Sequence, residues 1–321
     1  MRVPYRLATD AILSADSVVL AGHENADGDS LGCVLALTLA IRALGKRAVP
    51  LSTDGVPEIY RWMPGQEDVR PTTDERAFDL AIVCDTSAYA RLGAAAEPMR
   101  SACVSMRLDH HGDQGDPFDI ACVNSKAAAT GEMAYQLIRR LGVPITLDMA
   151  ECLLCAIVTD TGSFRFMNTS PSTLQISADL MRRGACPAFI SELVFESRSP
   201  ASVRLLARAL SSLHFAHEQQ VAWVRLTAAD FAETGADDAD SEGVVNHARS
   251  MRGVRVGMLF REAGERGVRV SLRSRDGVDV AAVARQFGGG GHIMAAGCTV
   301  PMGLAAAEAA VLAAVEAQLA R

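Results

Sequence analysis

The feature that most constrains the fold is a short apolar run, Ser17-Val18-Val19-Leu20-Ala21-Gly22, followed at once by the polar octapeptide His23-Glu24-Asn25-Ala26-Asp27-Gly28-Asp29-Ser30. A helix-length apolar segment, Leu31 to Leu44, comes next and is closed by Gly45. A continuous apolar run of this length reads as a strand covered on both faces, and the segment after it as a helix. Such a strand–loop–helix unit calls for a parallel sheet with helices packed on it. The loop then lies at the carboxyl end of a strand and the amino end of a helix, the usual ligand crevice of an open α/β sheet. Free N–H groups and the helix dipole favour phosphate there. His23, Asp27 and Asp29 place one imidazole and two carboxylates in it, a donor set suited to Mn2+, Mg2+ or Fe2+. Asp27 and Asp29 would equally serve as helix caps with His23 at the surface, and the octapeptide alone favours neither reading.

The pattern recurs along the chain. Ala48 to Ser52 reads as a second strand, and the apolar run from Phe78 stops on Asp85, which is either a site residue at a strand tip or the N-cap of the next helix. Ala102 to Leu108 is another apolar strand and ends in Asp109-His110-His111. Adjacent histidines point in different directions, so one can bind a metal while the other faces substrate, and Asp109 can fix a ring tautomer. Three of the seven histidines thus fall at two strand tips. Thr130 reads as the N-cap of a helix reaching Gly142, and a helical pattern from Asp148 to Val158 runs into Asp160. Arg165 beyond it is either a phosphate clamp or a solvated surface arginine.

Beyond Ser170 the pattern is helical over 172–183, 188–196 and 199–215. The expected division is a first domain over 1–187, a helical linker over 188–215 and a second domain over 216–321. Three short strands with period-two character lie in the second domain, at 221–226, 254–260 and 268–273. Between Gly243 and Arg275 eight arginines stand against Glu262 and Glu265, the densest basic stretch of a chain whose net charge is −7. It reads as a phosphate-binding wall with some solvated strand face mixed in. A helix over 278–287 then leads into Gly288-Gly289-Gly290-Gly291-His292, where bare backbone N–H groups can approach an anion.

The acidic net charge argues against a partner in long duplex nucleic acid but permits a short anionic ligand. Eight cysteines without paired spacing fit a reducing compartment, with Cys152 and Cys155 packed in a helix. The N-terminus lacks a signal-peptide core, and no apolar run reaches about 18 residues. A cytoplasmic protein without a membrane partner is expected.

The order His23-x-x-x-Asp27-x-Asp29, Asp85, Asp109-His110-His111 and Asp160 resembles the four motifs of the DHH phosphoesterase superfamily. The glycine run with His292 resembles the loop of its DHHA1 partner domain, and no G-x-G-x-x-G or Walker lysine competes in the first loop. The pairing is similar to the nanoRNase (oligoribonuclease) and 3′-phosphoadenosine-5′-phosphate (pAp) phosphatase family. The resemblance implies an α/β chain: a doubly wound, mostly parallel sheet joined by the helical linker to a smaller α/β domain with a mixed sheet. It implies two divalent ions, Mn2+ first, with Mg2+, Co2+ or Fe2+ as alternatives. His23, Asp27 and Asp85 would hold one and Asp29, Asp85, His110 and Asp160 the other, about 3.5–4 Å apart. His111, with Asp109 and Asp85, would act on the scissile phosphate. Arg165, Asn246, Arg249, Arg273, Gly288, Gly289, Gly290, Gly291 and His292 would bind the rest of the substrate, the second domain closing over the first. The implied reaction cuts oligoribonucleotides of about two to five units, too short to need an extended basic surface, and converts pAp to AMP. Linear or cyclic dinucleotides, pyrophosphate or polyphosphate are the alternative substrates, a regulatory nucleotide sensor is the non-enzymatic one, and a homodimer is left open. Two departures are local: Ala26 stands where a proline is common, and His247 where an aromatic is common.

Overall fold

The computed structural model describes residues 3–112, 115–275 and 277–319. The chain divides into two compact units, the first ending at Ser197 and the second starting at Arg198. The range expected to link them is therefore shared: 188–197 belongs to the first unit and 198–215 to the second.

In the first unit α1 (Tyr5–Ser14), β1 (Ser17–Ala21), α2 (Gly28–Ala43) and β2 (Arg47–Leu51) are followed by β3 (Leu80–Cys84), α3 (Ala96–Arg100), β4 (Val104–Asp109) and β5 (Ile120–Val123). Helices α4 (Thr130–Arg140), α5 (Leu147–Asp160), α6 (Pro171–Arg182) and α7 (Pro187–Ser191) complete it, with a π turn over Glu192–Glu196. The strands form a five-stranded sheet, order β2-β1-β3-β4-β5, parallel throughout. Alternate residues of each strand face opposite layers. Val18, Leu20, Ile82 and Met106 pack under α1, α2 and α4–α7, while Val19, Ala21, Ala81 and Val83 pack with Tyr89, Leu92 and Met99. This double covering is why the strands read as unbroken apolar runs. Two aspartate clasps fix the sheet's amino edge. Asp79 Oδ2 accepts from Ser17 N and Oγ, both at 2.8 Å, and Asp119 Oδ2 from Ser105 N and Oγ at 2.8 and 2.7 Å. Strand order reverses between β1 and β3, and the carboxyl edge at such a point is where open α/β sheets usually bind ligands.

Helix α2 is buried around most of its circumference because α5 lies on its outer side. Two glycines permit that approach. A Cβ on Gly32 would come within 2.4 Å of the Cys152 carbonyl oxygen, and one on Gly28 within 2.5 Å of Thr159 Cγ2. The contact at Gly28 sets the end of α5, with Asp160, beside the start of α2, with Asp27 and Asp29.

The second unit contains α8 (Pro200–Ser211), β6 (His214–Ala216), β7 (Val221–Leu226), α9 (Ala228–Thr234), α10 (Val244–Ser250), β8 (Val256–Glu262) and β9 (Val268–Ser274). It ends with α11 (Val280–Arg285), β10 (Gly290–His292), β11 (Ala295–Val300) and α12 (Leu304–Leu319). Its mixed sheet has the order β10-β11-β9-β8-β7-β6, with β7 and β8 parallel and the other pairs antiparallel. One face packs on α11 and α12 around Val256, Met258, Phe260, Val270 and Leu272. The other carries Val224, Leu226 and Leu259 against α8 and α10.

Three elements differ from the sequence reading. The helix expected to reach Phe215 stops at Ser211, because Ser212 Oγ accepts the Arg225 N–H at 2.7 Å and turns the chain into edge strand β6. The helix expected over 188–196 is one α-helical turn followed by the π turn. The glycine run is partly a strand, β10, hairpinned to β11. A Cβ on Gly289 would lie 2.1 Å from the Gly297 carbonyl oxygen and one on Gly291 2.5 Å from that of Ala295, so the run also serves close backbone packing. Among the described residues no helix is long and apolar enough to cross a membrane.

Candidate metal and phosphate sites

His23 follows β1 at the sheet's carboxyl edge and is nearly buried. Its Nδ1 lies 2.8 Å from the Glu24 carbonyl oxygen, an acceptor only, so the proton sits there. Nε2 then turns a lone pair toward Asp85 Oδ2 at 3.4 Å and Asp27 Oδ1 at 3.9 Å. Asp27 is at once N-cap of α2, accepting the Ser30 N–H at 2.9 Å, and a member of this cluster. His110, beyond β4, repeats the arrangement. Its Nδ1 is 3.3 Å from the Ala127 carbonyl oxygen, and its Nε2 is 3.1 Å from Asp160 Oδ2, 3.6 Å from Asp85 Oδ1 and 3.9 Å from Asp29 Oδ2. Imidazoles whose far nitrogen is tied to a carbonyl while the near one faces carboxylates are oriented as metal ligands usually are.

Asp85 joins the two groups, with one oxygen toward each histidine. It stands just past β3 in the left-handed region, at φ 59°. For a residue with a Cβ this costs of order 1–3 kcal/mol, and such strain gathers at functional sites. Asp29, fully buried, accepts the backbone N–H groups of Thr130 and Gly131 at 2.7 and 2.8 Å, at the amino end of α4. Burial pushes the Asp29 carboxyl well above the usual range, and the Asp160 charge adds to it. Asp85 is raised by burial and then by Asp29, and Asp27 by burial and then by Asp160. Burial pulls His110 down, but the hydrogen bond to Asp160 and the charge of Asp29 outweigh it, giving about 9. Four carboxylates this close cannot all ionise without cations among them. Metal-competent atoms of His23, Asp27 and Asp85 lie within 4.8 Å of one another, as do those of Asp29, His110 and Asp160. This donor set fits two divalent ions in charge and in ligand type.

Asp85, His110 and His111 also lie that close, but His111 is committed elsewhere. Its Nδ1 donates to Asp109 Oδ1 at 2.7 Å, and its backbone N–H donates to the same oxygen at 2.8 Å. Asp109 Oδ2 accepts from Arg107 Nε and Nη2 at 2.9 and 2.6 Å, and Arg107 Nη2 also donates to the His111 carbonyl oxygen at 3.0 Å. Burial would raise Asp109, but the hydrogen bonds and charge of His111, together with Arg107, hold its carboxyl below the usual range. Asp109 thus orients a histidine rather than holding a metal.

In the second unit a row runs across the sheet: His292 of β10 pairs with Ala295 of β11, Ala295 with Arg273 of β9, and Arg273 with Gly257 of β8. Directly paired residues point to one face. Helix α10 covers that face at Gly257, where a Cβ would fall 2.5 Å from the Arg249 backbone nitrogen. Arg249 therefore reaches the same surface as Arg273 and His292, and exposed Asn246 precedes it on α10. Burial and then the Arg249 charge lower the Arg273 pKa, and the Glu242 charge opposes them.

Two family models match in sequence order, "DHH family, N-terminal domain" over residues 17–157 and "DHHA1 domain" over 219–321. A "Bifunctional oligoribonuclease and PAP phosphatase NrnA" of Thermus thermophilus is 33% identical over 301 residues, 92% of this chain and 88% of the relative. The chain belongs to the DHH/DHHA1 phosphoesterase superfamily, in its NrnA-like branch. An exopolyphosphatase-related protein from Bacteroides fragilis is similar in structure, with TM-score 0.92, 25% identity and coverage of 97% of this chain and 95% of that one. Thermus thermophilus RecJ in complex with Mn2+ shares the fold at TM-score 0.57 and 16% identity, over 100% of this chain and 55% of RecJ.

The DHH domain thus gathers His23, Asp27, Asp29, Asp85, Asp109, His110, His111 and Asp160 at one sheet edge. Arg165 is not gathered with them by any contact of its own: exposed, it donates Nε to the Gly162 carbonyl oxygen at 2.5 Å and lies over the Phe195 ring. In the DHHA1 domain the arginine run is divided rather than forming a single wall. Arg261 is buried against Ser241 and Asp238, Arg255 bonds Gln220, and Arg252, Arg266, Arg269 and Arg275 are exposed. Thr130 is not the N-cap it was read as; Ala129 is. Its hydroxyl donates to Asp85 Oδ1 at 2.9 Å and accepts the His110 N–H at 3.3 Å, a role no spacing announces. Arg107 left a signal, a charge inside an apolar strand run, that the sequence reading passed over.

Proposed function

We propose that this chain hydrolyses short oligoribonucleotides, of about two to five units as suits its acidic net charge of −7, to mononucleotides, and pAp to AMP. The observation that carries the reading is the pair of His–Asp groups joined by the buried Asp85. His23, Asp27 and Asp85 would hold one divalent ion and Asp29, Asp85, His110 and Asp160 the other, with Mn2+ the first choice for this mix of imidazole and carboxylate. Bound ions would supply Lewis-acid activation of water and neutralise phosphate charge. His111, its Nδ1 proton held by Asp109, turns its other ring nitrogen to the scissile phosphate. Arg249, Arg273 and His292 hold the substrate's second phosphate or sugar, and the backbone at Gly288 to Gly291 lies beside them. Such remote contacts convert binding energy into orientation at the reacting centre. The activities of the Thermus thermophilus relative support this substrate class.

One panel tests it: pAp, a diribonucleotide, a longer RNA, cyclic di-AMP and pyrophosphate, each with Mn2+. Rapid turnover of the first two and slow turnover of the others is expected. Fast pyrophosphate hydrolysis with inert nucleotides would overturn the assignment.

A further inference from the structure

Arg107 lies within β4, paired in register with Val83 of β3 and Ala121 of β5, and is 4% exposed. A guanidinium in the middle of a parallel sheet is costly unless fully paired. Three of its hydrogen bonds go to one turn: two to Asp109 Oδ2 and one to the His111 carbonyl oxygen. The other Asp109 oxygen is filled by the backbone and ring N–H of His111. One rigid fork therefore grips both ends of the Asp109–His111 turn, with His110 between them. We propose that Arg107 is a positioning residue for His111. It locks the Asp109 rotamer and the His111 carbonyl, so the ring stands in one orientation with its proton on Nδ1. It also matches the Asp109 charge locally, which keeps that carboxylate a partner of His111 rather than a fifth acid competing for the cations of the neighbouring cluster. Lysine, with its single ammonium, cannot make the same three bonds. For catalysis, the inference rests on the proposed role of His111 at the scissile phosphate.

The test uses the full-length protein carrying Arg107→Met, Arg107→Lys, His111→Ala and the Met/Ala double substitution. Arg107→Met should lower kcat on pAp by about ten- to a hundredfold, the usual effect of losing an orienting partner, with Mn2+ affinity by calorimetry changed less than about threefold. Arg107→Lys should recover little. In the double substitution Arg107→Met should add no more than about twofold to the loss from His111→Ala, since residues acting as one unit are not additive. Nitrogen-15 NMR of the histidine rings should show His111 as a single Nδ1–H form in the wild type and as a mixture in Arg107→Met. Wild-type kcat, full additivity, or Mn2+ affinity falling in step with kcat would each overturn the proposal. Should Arg107→Met fail to fold, Arg107→Met/Asp109→Asn removes both partners of the buried pair and should match Asp109→Asn alone; recovery of wild-type kcat would refute the role. The ring spectrum needs no substrate, so it decides the positioning role even if pAp and oligonucleotides prove inert.

Discussion

Thr130 offers the sharpest separation of metal positioning from folding. Its hydroxyl is fully buried, donates to Asp85 Oδ1 at 2.9 Å and accepts the His110 N–H at 3.3 Å, so it touches the acid shared by both groups and the backbone of a histidine ligand candidate. Thr130→Val keeps the shape and removes only the oxygen. A hydrogen bond to a charged group contributes roughly 1.5–3 kcal/mol, and 1.4 kcal/mol is a factor of about ten in an equilibrium. Mn2+ affinity should therefore fall about ten- to a hundredfold, as is usual when a ligand loses its supporting partner. Activity at limiting Mn2+ should drop in parallel and largely return when Mn2+ is raised, while Thr130→Ser stays near wild type. Calorimetric Mn2+ titration of the three proteins, with circular dichroism to establish folding, measures this. A folded Thr130→Val protein binding Mn2+ within about twofold of wild type would refute the reasoning, because the pair would then be worth less than any charged hydrogen bond.

Asp29 and Asp85 have raised carboxyl pKa values in the folded chain, so the folded form binds protons more tightly than the unfolded one. The stability this confers is complete below the unfolded value of about 3.9 and lost as pH rises through the higher folded values. His110, raised to about 9, has the same sign and loses its share as pH climbs through that value. In chelator, Asp85→Asn should melt higher than wild type at pH above the unfolded carboxyl value, with a flatter dependence on pH there, while losing Mn2+ binding; a variant no more stable than wild type without metal would contradict the electrostatic account. Arg273→Ala should lower kcat/KM on pAp and dinucleotides about ten- to a hundredfold. It should barely change hydrolysis of a small aryl phosphodiester, and equal losses on both would mean that Arg273 serves the fold rather than the substrate.

Much of the DHH domain was legible because a strand buried on both faces tolerates few polar residues along its length. The acids and histidines of such a chain are displaced to the strand tips, and a parallel sheet puts those tips on one edge. His23, Asp85 and Asp109-His110-His111 could be placed there from local pattern alone. Arg107 is the exception that the rule should have flagged. The DHHA1 domain was read less completely. Glycine gives no period-two signal, so β10 and its hairpin with β11 were hidden, and β6 was absorbed into the helix before it.

By itself the sequence determined which acids and imidazoles stand at strand ends and which end of the sheet they occupy, since apolar runs and their interruptions are local properties. Tertiary structure alone decided how those side chains are aimed. The Glu24 and Ala127 carbonyls fix which nitrogen of His23 and His110 faces the acids, and the amino end of α4 holds Asp29. Thr130 braces Asp85, and Gly257 lets Arg249 come beside Arg273. Each of these contacts joins segments that folding brings together, and a hydrogen bond's direction depends on where its partner lies in space, which no pattern of neighbours along the chain records.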